Sequence, residues 1–358
     1  MNITYDNIIF SLQKAGGISI YWVELIKRLQ NRQNVFFYEN SNDNIFRKKI
    51  QLQTQKNSNL IIEFYRYFPF LKKLPSKSIF HSSYYRVSLQ IDVVNITTVH
   101  DFTYEYFRSG LAKYIHTFQK GFSIKRSDGI ICVSENTKRD LMKFFPVTEE
   151  SKIKVIYNGV CKELVKLENP IDYLVNEFKI LRNKKYILFI GDRSNYKNFD
   201  VVIQVIKKLK NYSLVIVGGQ DFSEKEKSSM LMIEHKVYHF KGLSGDKLNI
   251  LYNNAFCLLY PSSYEGFGIP IAEAMTVGCP VVSTNRSSIP EVAGDAALLV
   301  DKLEADNFAN KIRKLENYGF RGDLINRGLE QSKKFCWDKC FEETHRFYQD
   351  IWKRKFGG

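Results

Sequence analysis

The segment richest in chemistry-bearing residues is Ser263-Tyr264-Glu265-Gly266-Phe267-Gly268-Ile269-Pro270-Ile271-Ala272-Glu273. It follows the apolar run Phe256 to Tyr260. Gly266 and Gly268 let the backbone come close to a ligand. Pro270 suits the first position of a helix and Gly278 its end, with Pro280 just beyond. The loop therefore feeds a helix N-terminus, where free N–H groups and the helix dipole favour phosphate. Glu265 falls in the loop at the carboxyl end of a strand, and Glu273 about one turn into the helix. Two carboxylates beside a phosphate site are suited to binding sugar hydroxyls. Either glutamate alone reads better as a surface residue of a capped helix; the pair with glycines between them favours a binding site.

A second strand-to-helix turn carries Gly191-Asp192-Arg193-Ser194-Asn195-Tyr196-Lys197-Asn198 after the run Tyr186 to Ile190. Ligands of open α/β sheets bind at the carboxyl ends of strands. Arg193 as a planar fork and Lys197 as a point charge are both suited to a diphosphate. In the first half, Ala15-Gly16-Gly17-Ile18 opens the first helix without being G-x-G-x-x-G, which disfavours a dinucleotide dehydrogenase. His100-Asp101 ends the run Ile96 to Val99, where a histidine can hydrogen-bond a substrate hydroxyl. His235 and His239 have H-x3-H spacing, but Val237 to Phe240 reads as a strand, which spoils the helical geometry of a metal pair. No D-x-D occurs, so Arg193 and Lys197 would balance a leaving diphosphate in place of a chelated metal.

These turns need strands to hold them. Short apolar runs without alternation read as strands buried on both faces of a parallel sheet. They are Ile8 to Phe10, Ile79-Phe80, Ile96 to Val99, Ile130 to Val133 and Val155-Ile156 in the first half. In the second they are Tyr186 to Ile190, Leu214 to Val217, Val237 to Phe240, Phe256 to Tyr260, Val281-Val282 and Ala297 to Val300. Helical stripes lie between them: Ile18, Trp22, Leu25, Ile26 and Leu29, then Val201, Val202, Val205, Ile206 and Leu209. The alternation predicts a doubly wound, Rossmann-like α/β chain, and a length of 358 residues suggests two such domains. The charged stretch Lys162 to Lys184, containing Pro170, is expected to connect them. Trp337, Phe341, His345, Tyr348 and Trp352 share one face of a terminal helix expected to dock on the core.

Composition narrows the classes. Hydrophobic residues at 44 % and charged residues at 25 % exclude a disordered chain. No apolar run approaches the ~20 residues of a membrane span, and the start shows no secretion signal. Six scattered cysteines without a C-x-x-C read as buried thiols in a reducing cytoplasm. The net charge of +15 admits nucleic acid, anionic lipid or phosphorylated small molecules without choosing among them.

Taken together, these residues resemble glycosyltransferase family 4, retaining enzymes of the GT-B fold, and bacterial members that build O-antigen, capsule or other surface polysaccharide. Glu265 to Glu273 matches the family's E-x7-E. Val217-Gly218-Gly219, Arg193 with Lys197-Asn198, Pro280-Val281-Val282 and Ile289-Pro290-Glu291-Val292 are similar to family segments. So are Gly16 to Ser19, His81 to Tyr85, Thr98 to Asp101 and Val133 to Glu135. The sequence departs from many relatives at Tyr196, where they carry arginine, and at Ile20, where they carry a basic residue.

The resemblance implies two domains facing across a cleft: residues 1–165, with the helix 337–358 packed back on them, for the acceptor, and 166–336 for the donor. Arg193 and Lys197 would hold the donor diphosphate and Glu273 the ribose. Glu265 and the N–H groups of Gly266, Phe267, Gly268 and Ile269 would hold the sugar. Gly17 would lie against the diphosphate, and His100 near the reacting carbon. No cofactor or metal is expected. The expected partners are a nucleotide-sugar, GDP-mannose or a UDP-sugar, and a saccharide or lipid-linked acceptor, with no nucleic acid. A cytoplasmic location is expected. Contact with an anionic membrane is expected through Ile61 to Gln90, where Arg66, Lys72, Lys73, Lys77 and Arg86 interleave with aromatics and Glu63 is the one acid before Gln90. Two rival readings differ in chemistry: a GT-B sugar-nucleotide epimerase, and a basic nucleic-acid-binding or scaffold protein.

Overall fold

The computed structural model describes residues 1–56 and 62–357. Ile61 and the Glu63 side chain, part of the basic aromatic stretch, lie outside them. The chain forms two compact units, Met1–Gly159 with Cys336–Gly358, and Val160–Phe335.

The first unit is built on a seven-strand parallel sheet among the described residues: β1 Ile3–Asp6, β2 Val35–Glu39, β3 Gln55–Lys56, β4 Ser78–Ser82, β5 Val93–Val99, β6 Gly129–Cys132 and β7 Ile153–Val155. Their order is β3-β2-β1-β4-β5-β6-β7. The second unit repeats the plan with β8 Tyr186–Ile190, β9 Ser213–Val217, β10 Val237–Phe240, β11 Cys257–Tyr260, β12 Val281–Thr284 and β13 Ala297–Val300. Here the order is β10-β9-β8-β11-β12-β13. β1, β4, β5, β6, β8, β9, β11 and β12 are buried along their whole length, which is why β6, β8, β9 and β11 read as apolar runs rather than alternating ones, while β1, β4, β5 and β12 bury polar side chains as well. In both sheets the order reverses in the middle, at β1/β4 and at β8/β11. Such a reversal opens a crevice outside the strands' carboxyl ends.

Three expectations need correction. The run Ile8-Ile9-Phe10 is not a strand. β1 is Ile3–Asp6, and the chain then leaves the sheet into the helical turn Ile9–Leu12. All three apolar side chains are buried, so the run records burial rather than strand pairing. The stretch Lys162 to Lys184 is not a free connection. Leu164, Leu174, Phe178 and Leu181 are buried, and the Val165 and Leu167 N–H groups donate to Asn249 and Asn253 side chains at 3.1 and 2.8 Å. The stretch is the flank of the second unit, and the division therefore falls at Gly159/Val160 rather than after residue 165.

The helix Trp337–Phe356 belongs to the first unit. Trp337, Phe341, Tyr348 and Ile351 join one core with Ile3, Tyr5, Trp22 and Ile96. Full burial of each such side chain is worth roughly 1.5–3 kcal/mol. The face is also hydrogen-bonded: Tyr348 Oη lies 2.9 Å from Tyr5 Oη and 2.5 Å from His81 Nδ1.

Candidate active site

In the second unit the loops after β8 and β11 meet at the reversal of the sheet. Asn198 joins them. Its backbone is left-handed, with φ of 52°, a conformation asparagine tolerates better than most residues. Its side-chain amide donates to Pro261 O at 2.7 Å and Ser263 Oγ at 2.8 Å. A backbone bond completes the clip, with the Ser263 N–H of the β11 loop donating to Tyr196 O of the β8 loop at 2.7 Å. The clip brings Lys197 against Glu265. The Lys197 ammonium pairs with Glu265 Oε1 and also donates to Tyr260 Oη at 2.8 Å. Burial alone would lower the Lys197 pKa, but the adjacent Glu265 outweighs it, and the net direction is up. Lys197 is a fixed cation.

Glu265 is held from a third side. Its N–H donates to Ser287 Oγ and its carbonyl accepts from Ser288 Oγ, both at 2.9 Å. The helix Ile269–Thr276 starts soon after, with Gly268 at φ of 90° before it and Pro270 in its first turn. Gly266 and Phe267 lie in the turn between, Phe267 packed edge-on against Phe335 at 5.3 Å. Glu273 lies on the buried side of this helix and accepts from Tyr252 Oη at 2.8 Å. Burial pushes its pKa up to about 7 despite the Tyr252 bond. The two glutamates of one motif therefore differ: one is ion-paired, the other titrates near neutrality.

As candidates for a diphosphate site, Lys197 and Arg193 are expected at the cleft surface, where either could be truncated with the fold intact. The structure corrects this. The Lys197 side chain is only 9 % exposed, because it spans from one loop to the other. The Arg193 fork is engaged within its own unit. Nε donates to Glu226 Oε1 at 2.6 Å, and Nη2 to the carbonyls of Gln220 and Asp221 at 2.7 and 3.0 Å. Arg193 thus braces the Gly218-Gly219 turn, and its Nη1 has no hydrogen-bond partner among the described residues. A methyl group added at Gly219 would sit 2.5 Å from that Nη1.

In the first unit, Gly17 is the exposed first residue of the helix Gly17–Leu29, which follows β1. His100 follows β5. Its ring meets Tyr21 edge-on at 4.9 Å, and Tyr21 Oη lies 3.2 Å from Thr98 Oγ1. Thr98 in turn lies 2.9 Å from His81 Nε2. Burial lowers the His100 pKa to about 4, with Asp101 opposing and Lys120 lowering it further. His100 is therefore neutral near pH 7, able to donate or accept one hydrogen bond but not a standing acid. It lines a cavity of about 220 Å³ with Ile18, Ser83, Tyr84, Asp101 and Tyr104.

Sequence reasoning missed Tyr252, Tyr260, Glu226, Ser287 and Ser288. Tyr260 ends the β11 run, and a tyrosine closing a strand at a suspected site was the available signal. The serines had none, because they reach Glu265 from another strand's loop. His239 Nε2 lies 2.7 Å from Gly218 O, which engages it within the sheet's own loops. Among the described residues, no group of three or more His, Cys, Asp or Glu side chains is placed to hold a metal ion.

Two family models match the chain. "Glycosyltransferase Family 4" covers residues 15–164 and "Glycosyl transferases group 1" residues 173–331. An uncharacterized glycosyltransferase of Methanocaldococcus jannaschii is 30 % identical over 258 residues, 66 % of this chain and 64 % of that protein. O-antigen chain mannosyltransferase B of Escherichia coli is 33 % identical over 173 residues, 46 % of this chain and 45 % of that one. The chain thus spans less than two thirds of either relative. The crystal structure of Anabaena HepE in complex with UDP-glucose matches with a TM-score of 0.75 at 14 % identity, over 98 % of this chain and 100 % of that one; at that identity it shows the fold. The chain has two Rossmann-like units, as the GT-B fold does, and its two halves are each similar to a glycosyltransferase family model.

Proposed function

We propose that the protein is a retaining, family 4 glycosyltransferase that moves a sugar from a nucleotide-sugar to a saccharide or lipid-linked saccharide. The Lys197–Glu265–Tyr260 cluster at the β8/β11 reversal carries this reading. It sets a buried cation at the place where an α/β sheet takes its ligand, beside a helix N-terminus suited to phosphate. The similarity to O-antigen chain mannosyltransferase B favours a mannosyl donor and surface polysaccharide as product; GDP-mannose and UDP-sugars are the donors to be tried. The reaction is assigned to the cytoplasm.

The second unit holds the donor. Lys197 faces the diphosphate, joined by Arg193 through its spare Nη1. Glu273 accepts from the ribose hydroxyls, and Glu265 with the N–H groups of residues 266–269 holds the sugar. The first unit presents the acceptor, with Gly17 and neutral His100 as its candidate contacts to the substrates. The acceptor oxygen forms its bond to the anomeric carbon on the face from which the diphosphate departs. The bond from that carbon to the phosphate oxygen breaks, the electron pair leaves with the diphosphate, and the leaving oxygen takes the acceptor's proton. Negative charge grows on the diphosphate in the transition state, so a fixed cation helps there more than in the ground state. With Lys197 in that role, no metal ion or cofactor is required.

The test is a thermal-shift series with GDP, UDP, GDP-mannose and UDP-sugars, since a ligand of the native state raises its stability. One nucleoside diphosphate should raise the midpoint, and its sugar conjugate should turn over only when acceptor is present. Turnover of the donor sugar into its epimer without acceptor would overturn the reading in favour of an epimerase. Salt-sensitive binding of nucleic acid with no nucleotide shift would overturn it altogether.

A further inference from the structure

The cavity that His100 lines has a wall which the reaction above does not use. Tyr104, on the helical turn Thr103–Phe107, and His116, on the helix Gly110–Arg126, supply it. Their rings stack at 3.9 Å, and Tyr84 and Tyr85 meet His116 edge-on at 6.2 and 5.4 Å. A buried ion pair holds this wall in place. The Lys120 ammonium lies 2.8 Å from the Glu105 carboxylate, and neither side chain is more than 1 % exposed. Lys120 also donates to the Asp101 carbonyl at 3.0 Å. Thr117 Oγ1 donates to Glu105 Oε1 at 3.2 Å, and His116 Nδ1 lies 3.7 Å from the same oxygen. Burial would raise the Glu105 pKa, but His116 and Lys120 outweigh it and bring it down to about 2. Glu105 is therefore a standing carboxylate near pH 7. In the neutral imidazole of His116 it favours the proton on Nδ1, which leaves Nε2 as an acceptor.

Two groups of opposite charge complete the lining. The Asp101 carboxylate accepts from the Thr103 N–H at 2.9 Å. Arg66 donates through Nη2 to Tyr67 Oη, and its buried Nε has no hydrogen-bond partner among the described residues. Arg66, Tyr84 and Tyr85 belong to the basic aromatic stretch Ile61 to Gln90, expected from the sequence to meet a membrane. Of the same stretch, Tyr65 and Phe70 are buried, and Arg86 pairs with buried Asp6 at 2.9 Å. A volume of about 220 Å³, below the roughly 300–1,000 Å³ of drug-sized pockets, suits one sugar ring. Guanidinium donors with carboxylate and imidazole acceptors match hydroxyl groups, and aromatic rings match the C–H faces of a pyranose. Arg66 and Asp101 balance in charge, which disfavours a phosphate or a uronate. We propose that this cavity seats one uncharged monosaccharide ring at the end of the acceptor. Asp101 and His116 accept from its hydroxyls, Arg66 donates to them, and Tyr84 and Tyr104 lie against its C–H faces. That the ring is the acceptor's rests on the proposed function; that a sugar binds here does not.

The test is saturation-transfer NMR of the full chain with the methyl glycosides of mannose, glucose, galactose and N-acetylglucosamine. Glucuronate and mannose-1-phosphate are the charged probes. Nucleotide is left out, so the result is read apart from the donor site. At least one neutral glycoside should bind at millimolar concentration, more tightly than either charged probe. Arg66→Gln and Asp101→Asn should each weaken it about tenfold, as loss of a hydrogen bond to a charged group does. His116→Phe keeps a ring against Tyr104 and should weaken it several-fold. Arg66 is only half-buried, so a near-wild-type thermal midpoint in Arg66→Gln separates loss of the sugar from loss of fold. In the transfer assay, Asp101→Asn should raise the acceptor KM about tenfold and leave the donor KM unchanged. Failure of every neutral glycoside to bind overturns the proposal. So does tighter binding of a charged probe, and so does binding indifferent to all three substitutions. Displacement of the glycoside by the nucleotide-sugar would assign the seat to the donor and overturn its place in the acceptor site.

Discussion

Both sheet reversals hold a buried ion pair, Lys197–Glu265 at β8/β11 and Asp6–Arg86 at β1/β4, but the groups beside those pairs differ. At β8/β11 the groups are ionic: Lys197 with Glu265, and Arg193 with Glu226. At the carboxyl ends of β4 and β5 in the first unit, the line from Tyr348 through His81, Thr98 and Tyr21 to His100 is neutral. Burial lowers the pKa of His81 to about 3 and of His100 to about 4. Under the proposed reaction, the unit that holds the leaving diphosphate sets fixed charge at its site, and the unit that presents the acceptor sets a neutral hydrogen-bonded line beside His100. Fold alone does not dictate this; the loop residues do.

The contrast breaks most sharply at Lys197. Lys197→Met should cut turnover about a hundredfold or more, since losing one preorganised contact to developing charge costs on the order of 3 kcal/mol of barrier. It also strands Glu265, so the thermal midpoint should fall, with a loss of up to about 3–5 kcal/mol for a broken buried pair. Lys197→Met/Glu265→Gln removes both charges. Calorimetry should show stability recovered while assays show turnover still lost. If the double variant regains activity, the cation serves the fold and not the leaving group.

Arg193 comes next. Arg193→Ala removes three hydrogen bonds and leaves Glu226 and two carbonyls to water, so turnover and thermal midpoint should fall together. Gly219→Ala puts a side chain at a backbone φ of 72° and 2.5 Å from Nη1, so the guanidinium must move while its charge is kept; it should lower diphosphate affinity several-fold, measurable by titration calorimetry. Equal affinity in wild type and Gly219→Ala would leave Arg193 as a brace only.

How far the sequence discloses this site follows from locality. The loops themselves, Gly191 to Asn198 and Glu265 to Glu273, are legible because glycine, proline and charge sit in short contiguous stretches beside apolar strands. Doubly wound order is legible from strand–helix alternation. What reaches the site from afar is not: Ser287 and Ser288 on Glu265, Tyr252 on Glu273, and Glu226 on Arg193 are fixed by tertiary packing. The apolar run at Ile8 misleads because burial does not require a strand.

Within the second unit, Glu265 and Glu273 provide a finer contrast. The folded-state pKa of Glu273 is raised from the ordinary 4.5 to about 7. Its contribution to stability is therefore fully present below pH 4.5 and is lost as pH rises through about 7. Glu273→Gln should gain on the wild type in thermal midpoint across that window. Nucleotide binding runs the other way. If the ribose needs the ionised carboxylate, wild-type affinity should fall about tenfold from pH 8 to pH 6, and Glu273→Gln should be weaker and nearly flat. Parallel profiles for the two proteins would remove Glu273 from the nucleotide.

The smallest effect is expected in the first unit. His100→Asn keeps a neutral donor and should cost about tenfold in turnover, less than a general acid or base would. Because His100 titrates near pH 4, wild-type and His100→Asn rate profiles should run parallel between pH 6 and 8. A limb near pH 6.5 that disappears in the variant would show an imidazolium at work.

The central claim is that a buried cation of the second unit holds the donor's diphosphate. Titration calorimetry of Lys197→Met/Glu265→Gln with the nucleoside diphosphate identified by thermal shift tests it most directly, because the double variant retains the fold and the free diphosphate lacks the sugar that Glu265 would hold. The account predicts affinity at least about tenfold below wild type, with the salt dependence of binding reduced. Wild-type affinity with undiminished salt dependence would contradict it.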